Sequence, residues 1–326
     1  MAASYWSSSQ RLRWLMPANV ALPGHERDLT RVSWADRTKL TLHYTNVIQS
    51  VAKRMMLRQR VVASAMTYFQ RFYANNAYCE TDPYPIACAC LYLAAKVEET
   101  PHHLRTFVNE MRELLRHPLS ARDGTDGKST TANAARFPYT SADIAELEIY
   151  LLEEMDFYMI LQHPYDLLTR LCAELQLPQS VLQTAWFVTN DSFRTDACLR
   201  YPPHVIALAA LYLTCALQPP EAQAPASSAG TSMGTVTEAT GGNPILGPGS
   251  ALPNAGAPVT ITERVKDWFA GLSTPLTEIA EVAQRLLAFY HVWDSFHETE
   301  DVSAILARLR TPEANAPPTA GPSTST

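Results

Sequence analysis

Along most of the chain apolar residues recur every three or four positions, the period of a helix with one buried face. Residues 37–57 set Leu40, Tyr44, Val47, Ile48, Val51 and Met55 on one such face. Arg58 to Asn75 repeats the pattern with Val61, Ala65, Tyr68, Phe69 and Phe72. Asp82-Pro83 predicts a third helix, with Asp as N-cap and Pro in the first turn. From Ile86 to Val97 that helix is apolar or small nearly all round, as a helix enclosed by others is. Thr100-Pro101 predicts its end and the start of a fourth, through about Leu115. Ser141 is the expected cap of a fifth helix carrying Ile144, Leu147, Tyr150 and Leu151. No segment alternates apolar with polar residues around a hairpin turn, so the expected fold class is all-α.

The pattern then recurs. Pro83 to Leu93 (PYPIACACLYL) matches Pro203 to Leu213 (PHVIALAALYL) at a constant shift of 120, with seven of eleven positions identical. Ile144-Ala145-Glu146 and Leu151-Leu152 correspond to Ile279-Ala280-Glu281 and Leu286-Leu287 at a shift of 135, the extra 15 residues fitting a longer insertion in the second half. Two helices recurring in order predict a duplicated five-helix bundle. Solenoid repeats are far shorter, roughly 20–50 residues, so a period of 120 fits two compact bundles far better. Three tracts are poor core material: 116–136, 219–258 and the Pro/Thr/Ser-rich tail from Thr311. They bury too little apolar surface to offset ordering entropy and are expected to be flexible. The expected organisation is an N-terminal helical extension (1–34), a first repeat (35–160), a second (161–298), and a short helix with a disordered tail (299–326).

Composition narrows the function classes. Of 326 residues, 47% are hydrophobic and 18% charged, which describes a globular chain. A formal charge of −6 speaks against a phosphate-backbone ligand, which usually meets a basic face. The six cysteines form no CxxC pair, and several stand among Ala and Leu as small hydrophobes, so a reducing compartment is expected. The longest apolar stretch, Val205 to Leu217, is 13 residues, too short to span a bilayer. Neither a membrane nor direct nucleic-acid partner is expected.

Several motifs carry a family resemblance. They are Leu57-Arg58-Gln59-Arg60, Tyr68 to Tyr73 (YFQRFY), Leu91 to Glu99 (LYLAAKVEE) and Glu146 to Asp156 (ELEIYLLEEMD), in this order. Together with the duplicated bundle and its Ala-rich central helix, they resemble the cyclins. His163-Pro164-Tyr165, Asn190 to Asp196 (NDSFRTD), Tyr201-Pro202-Pro203 and Tyr5 to Gln10 (YWSSSQ) resemble the cyclin C branch in particular. The similarity covers roughly residues 1–217 and 260–310. It implies two tandem cyclin-box bundles and a non-catalytic, nuclear subunit that activates a cyclin-dependent kinase of the Mediator kinase module. It also implies contacts with other Mediator subunits, an effect on RNA polymerase II transcription, and no cofactor.

Lys96 ends an otherwise apolar helix, and its counterpart at the 120 shift is Ala216. Position alone is met by a lysine whose stem lies on apolar surface while its charge complements the helix C-terminus. The resemblance implies instead that Lys96, with Glu146, grips backbone groups around the kinase αC helix. Glu146 has its own counterpart in Glu281, and a solvated carboxylate near a helix start satisfies it equally. Glu98 and Glu99 oppose the dipole at a helix end, which either a partner's basic residue or plain solvation relieves. Both are secondary candidates for kinase contact.

A possible further partner surface comprises Trp6, Trp186, Asn190, Asp191 and Arg194. Trp186, Asn190 and Arg194 are four apart and share one helical stripe. Met66 stands where Trp186 recurs, which favours core; the other reading is a groove for a Mediator subunit. Trp6 belongs to an N-terminal helix stopped near Pro17, with the kinase and the cyclin itself as its two docking candidates.

Other chemistry is excluded residue by residue. Gly127-Lys128-Ser129 lacks the earlier glycine of a phosphate loop, where Arg122 stands, and the preceding strand. His102-His103 has no accompanying ligand set, Cys88 and Cys90 read as core, and no metal site is expected. Asn190-Asp191-Ser192 matches a glycosylation pattern that needs secretion to matter. Kinase HRD and DFG motifs do not occur. Two other classes stay open: a cyclin-fold transcription factor gripping promoter DNA or another transcription protein without a kinase, and a helical enzyme, for which no convergent polar set is found.

Overall fold

The computed structural model describes residues 4–17, 19–116, 137–217 and 261–310. The insertions expected at 116–136 and 219–258 and the tail from 311 lie outside them, apart from Arg116. Every regular element among the described residues is a helix.

Two short helices come first, α1 (Ser9–Trp14) and α2 (Pro23–Leu29). The first bundle follows as α3 (Trp34–Arg54), α4 (Gln59–Asn75), α5 (Pro83–Val97), α6 (Leu104–Arg116) and α7 (Ser141–Glu154). The second is α8 (Tyr165–Glu174), α9 (Gln179–Ser192), α11 (Pro203–Leu217), α12 (Ile261–Ala270) and α13 (Leu276–Asp294), with a one-turn helix α10 (Ala197–Arg200) before α11. A last helix, α14 (Glu298–Arg310), returns to the first bundle.

The caps explain the boundaries. Helix α3 begins three residues earlier than the apolar period predicts, because Ser33 and Asp36 form a capping box. Helix α7 is capped by Thr140 and not by Ser141: Thr140 Oγ1 accepts from Asp143 N, and the Asp143 carboxylate accepts from Thr140 N at 2.7 Å. Asp82 caps α5 as expected, accepting from Tyr84 N at 3.1 Å. The fourth helix starts at Leu104 and not at Thr100.

At the centre of the first bundle, α5 packs on α3, α4, α6 and α7. Its Ala87, Ala89, Ala94 and Ala95 are fully buried and let α4 approach closely. Burying Ile86, Leu91 and Leu93 contributes about 1.5–3 kcal/mol each before chain entropy is counted. Burial pushes the Cys88 thiol up to about 12, so this cysteine serves as an inert small hydrophobe. All six cysteines are free. In the second bundle α11 plays the part of α5, packing on α8, α9 and α13 around Val205, Ala209 and Leu213.

Helix α2 is bolted to α3 by charge and to the end of α4 by close approach. Asp28 is wholly buried and pairs with buried Arg37 at 3.2 Å, while Cys79 N donates to its other oxygen at 3.2 Å. Gly24 lies so near the end of α4 that an added Cβ would stand 2.1 Å from the Asn76 carbonyl oxygen and 2.8 Å from that of Tyr73. Backbone cannot yield as a side-chain tip can. Gly24→Ala is therefore expected to cost about 1–3 kcal/mol in urea-unfolding midpoints, and an unchanged midpoint would refute this packing.

Candidate functional site

The last turn of α5 brings Lys96 out of the bundle beside α7. Its ammonium pairs with the Glu148 carboxylate and lies 4.7 Å from the Tyr92 ring centroid, a cation–π contact. The Lys96 side chain is 40% exposed and that of Glu148 only 11%, so the pair is a charged plug with its positive end toward solvent.

The glutamate beside Lys96 is thus not Glu146. Ile144, Glu148 and Leu151 share the face of α7 turned to α5, at spacings of four and three. Glu146, two residues from Glu148, falls on the opposite side and is exposed. A carboxylate inside an apolar stripe demands a cation, and this sequence signal would have selected Glu148.

Helix α7 and the segment that follows it also carry exposed apolar side chains. Ile149 is 66% exposed on α7, and beyond its end Phe157 and Ile160 are 69% and 66% exposed. Helix α7 closes with Phe157 N donating to Leu152 O and Asp156 N to Glu153 O, both at 3.0 Å. Asp156 and Phe157 consequently hold φ of 48° and 59°, the left-handed region that side chains with a Cβ disfavour. Such strain clusters at clamps and switch regions.

Glu98 and Glu99, adjacent in sequence, part company. Glu99 is exposed at φ 55°, closing α5 as Thr100 N donates to Ala95 O at 2.9 Å. Glu98 turns inward: it accepts from Ser64 Oγ at 2.7 Å and faces His163 Nε2 at 3.8 Å, on the linker between the bundles. Burial pushes the Glu98 carboxyl up, but the nearby His163, the hydrogen bond from Ser64 and the charge of Arg60 outweigh it, leaving the group below its ordinary 4.5. A depressed carboxylate stabilises the fold above its unfolded pKa, and that contribution is lost as pH falls through the folded value. Stability is expected to drop as pH falls below about 4.5, and more steeply than in Glu98→Gln; identical pH profiles in chemical denaturation would contradict this role.

Four of the five residues expected to form a further partner surface, Trp186, Asn190, Asp191 and Arg194, are engaged within the chain. Arg194 is 6% exposed; it donates to Asn46 Oδ1 and Gln49 Oε1 on α3, and its guanidinium lies 5.1 Å from the Trp293 ring centroid. Asp191 accepts from Tyr290 Oη at 3.1 Å, and Asn190 from Tyr165 Oη at 2.9 Å. The ring of Trp186 lies 4.5 Å from that of Tyr165 and packs against the first core, as the Met66 correspondence suggested. Arg194, held in place by Asp191, thereby forms a polar lock between the bundles. Trp6 remains 61% exposed, with the Arg11 guanidinium 5.3 Å from its ring and His204 at 5.5 Å. The N-terminal segment docks on the chain itself: Met16 N donates to Leu199 O at 2.8 Å, and buried Trp14 carries the fully buried Arg71 guanidinium at 4.7 Å.

Among the described residues no cluster of His, Cys, Asp and Glu could hold a metal, and no helix is long and apolar enough to cross a membrane.

Paired helical bundles with a charged clamp on one of them define a regulatory scaffold, and comparison with known proteins gives it a family. A family model described as the cyclin N-terminal domain matches residues 28–160. Cyclin-C of Rattus norvegicus is 31% identical over 319 residues, covering 98% of this chain and 93% of that protein. The RNA polymerase II holoenzyme cyclin-like subunit of Emericella nidulans is 31% identical over 316 residues, 95% of this chain and 97% of that one. In fold, the chain matches one in the solved CAK complex from Chaetomium thermophilum bound to ATP-γ-S, at TM-score 0.58 and 17% identity over 94% of this chain and 87% of that. The chain belongs to the cyclin family. Its full-length similarity runs to cyclin C proteins, and like its cyclin relatives it is a regulatory subunit of a protein kinase, with no catalytic part of its own.

Proposed function

We propose that this chain seats the mobile αC helix of a cyclin-dependent kinase of the Mediator kinase module on the face around Lys96, and that it acts in the nucleus on RNA polymerase II transcription. One observation carries the reading: the first bundle presents a partly exposed Lys96 paired with Glu148 of α7, a helix that carries exposed Ile149 and leads into exposed Phe157 and Ile160, whereas Ala216 stands at the Lys96 position of the second. A cation beside exposed apolar side chains suits a helix end, whose last carbonyls lack partners and take charge-assisted hydrogen bonds.

The mechanism is positional. A protein kinase needs its β3 lysine paired with the αC glutamate before the phosphates are held. A surface that binds only the inward position of αC shifts the population toward it by its differential affinity. The regulator supplies binding energy and no reacting group. The name of the Emericella nidulans relative supports the polymerase setting.

Tagged full-length chain purified from its source should recover a cyclin-dependent kinase with Mediator subunits. Kinase activity in that complex should exceed that of the kinase stripped of the chain, and imaging should place the tag in the nucleus. Recovery without a kinase would overturn the activating role; recovery with a kinase but no Mediator subunit would overturn only the assembly.

A further inference from the structure

Two groups of the chain hold the Lys96 ammonium. Glu148 engages it through Oε1 from α7, and the ring of Tyr92, one turn earlier on α5, lies beneath it with its centroid 4.7 Å away. Residues four apart share a helix face, so α5 itself delivers ring and cation together. An ammonium carries three donors, and one carboxylate oxygen leaves some of them for a partner's carbonyls.

Tyr92 is itself held. Its ring meets that of Phe107 on α6 edge to face, with centroids 5.5 Å apart and planes at 69°, a favoured arrangement of aromatic pairs. Phe107 is fully buried in the first core, and Tyr92 packs against that core while partly buried. A line of contacts therefore runs from core to charge: Phe107 fixes Tyr92, and Tyr92 with Glu148 fixes Lys96.

The second bundle separates the packing from the charge. Tyr212, at the 120 shift from Tyr92, meets Phe269 of α12 edge to face at 5.6 Å and 78°. There Ala216 stands for Lys96, and the 135 shift sets Ala283 in the place of Glu148. The aromatic pair belongs to the architecture of both bundles. Only the first sets a cation over the tyrosine's face and a carboxylate beside it.

We propose that Tyr92 is a positioning residue for kinase binding: its ring, fixed by Phe107, holds the Lys96 ammonium in place before the kinase arrives. A lysine on a flexible four-carbon stem loses rotamer freedom when a partner immobilises it, and one already held avoids most of that loss. Tyr92 acts through Lys96 and needs no kinase contact of its own. This rests on the reading of Lys96 as the kinase clamp.

The test is a double-mutant cycle on the full-length chain, read by surface plasmon resonance against the purified kinase. Tyr92→Leu should weaken binding about threefold to tenfold, and Tyr92→Phe, which keeps the ring, should restore it. In a Lys96→Ala, Glu148→Ala background the same Tyr92→Leu change should cost nothing further. Parent-like binding by Tyr92→Leu, or an equal loss in both backgrounds, overturns the positioning role. If the Lys96→Ala, Glu148→Ala chain binds as tightly as the parent, the clamp falls and this role with it; if that chain loses binding while Tyr92→Leu keeps it, only the positioning role falls. A second readout needs neither the kinase nor a leucine variant that folds. In the free parent chain and in Tyr92→Phe, the Lys96 ε-methylene protons, assigned by their absence from Lys96→Ala, should be moved upfield by the ring current. Resonances at the position of a freely rotating lysine would overturn the proposal.

Discussion

Replacing Lys96 and Glu148 together by alanine is expected to weaken kinase binding at least about a hundredfold while leaving the fold nearly as stable. Hydrogen bonds to a charged group contribute about 1.5–3 kcal/mol each, and losing two at a desolvated interface accounts for such a factor. The stability side is different because the Lys96 side chain is 40% exposed in the free chain, where screening leaves such a pair little net worth. Removing both partners also avoids stranding a charge. Lys96→Ala alone would leave the Glu148 carboxylate, 11% exposed, without its cation, so the single variant should melt lower than the double one. Glu146→Ala is the control: exposed on the far side of α7, it should bind the kinase as the parent does. Surface plasmon resonance against the purified kinase reads the first effect and circular-dichroism melts the second. Undiminished binding by the double variant, or loss with Glu146→Ala, would remove the clamp from this face.

The difference between Glu146 and Glu148 shows how far the sequence carries. The duplicated bundle was legible because helical period and a constant shift of 120 residues are properties of the chain itself, and α5 and α11 stand where that shift puts them. The caps were half legible. Ser33-x-x-Asp36 and Thr140-x-x-Asp143 are both written in the sequence, yet an apolar count begins at the first large hydrophobe and passes over them. What failed to show was partnership across long separations. Arg194 meets Asn46 and Gln49 from 148 and 145 residues away, and nothing in its neighbours distinguishes an arginine on a free stripe from one locked between bundles.

Arg194→Met should prove the most damaging single change in the second half of the chain, at about 3–5 kcal/mol, although it preserves length and apolar volume. The guanidinium does three jobs that methionine cannot. It donates to Asn46 and Gln49, it balances Asp191, and it lies over Trp293. Without it Asp191 keeps, among the described residues, the Tyr290 hydroxyl. Burial already pushes that carboxyl up against the opposing charge of Arg194, so removal of one partner strands a desolvated charge. Because Arg194 ties α9 to α3, the loss falls on the junction between bundles and not within either core. Unfolding should therefore separate into two transitions, the second bundle melting first. Its described apolar cluster is the smaller, while the first also gains Val302, Ile305 and Leu309 of α14. Differential scanning calorimetry separates this from the reading in which Arg194 faces another protein: a partner-contact arginine would lose its binding partner with one unshifted transition, and that outcome would dissolve the lock.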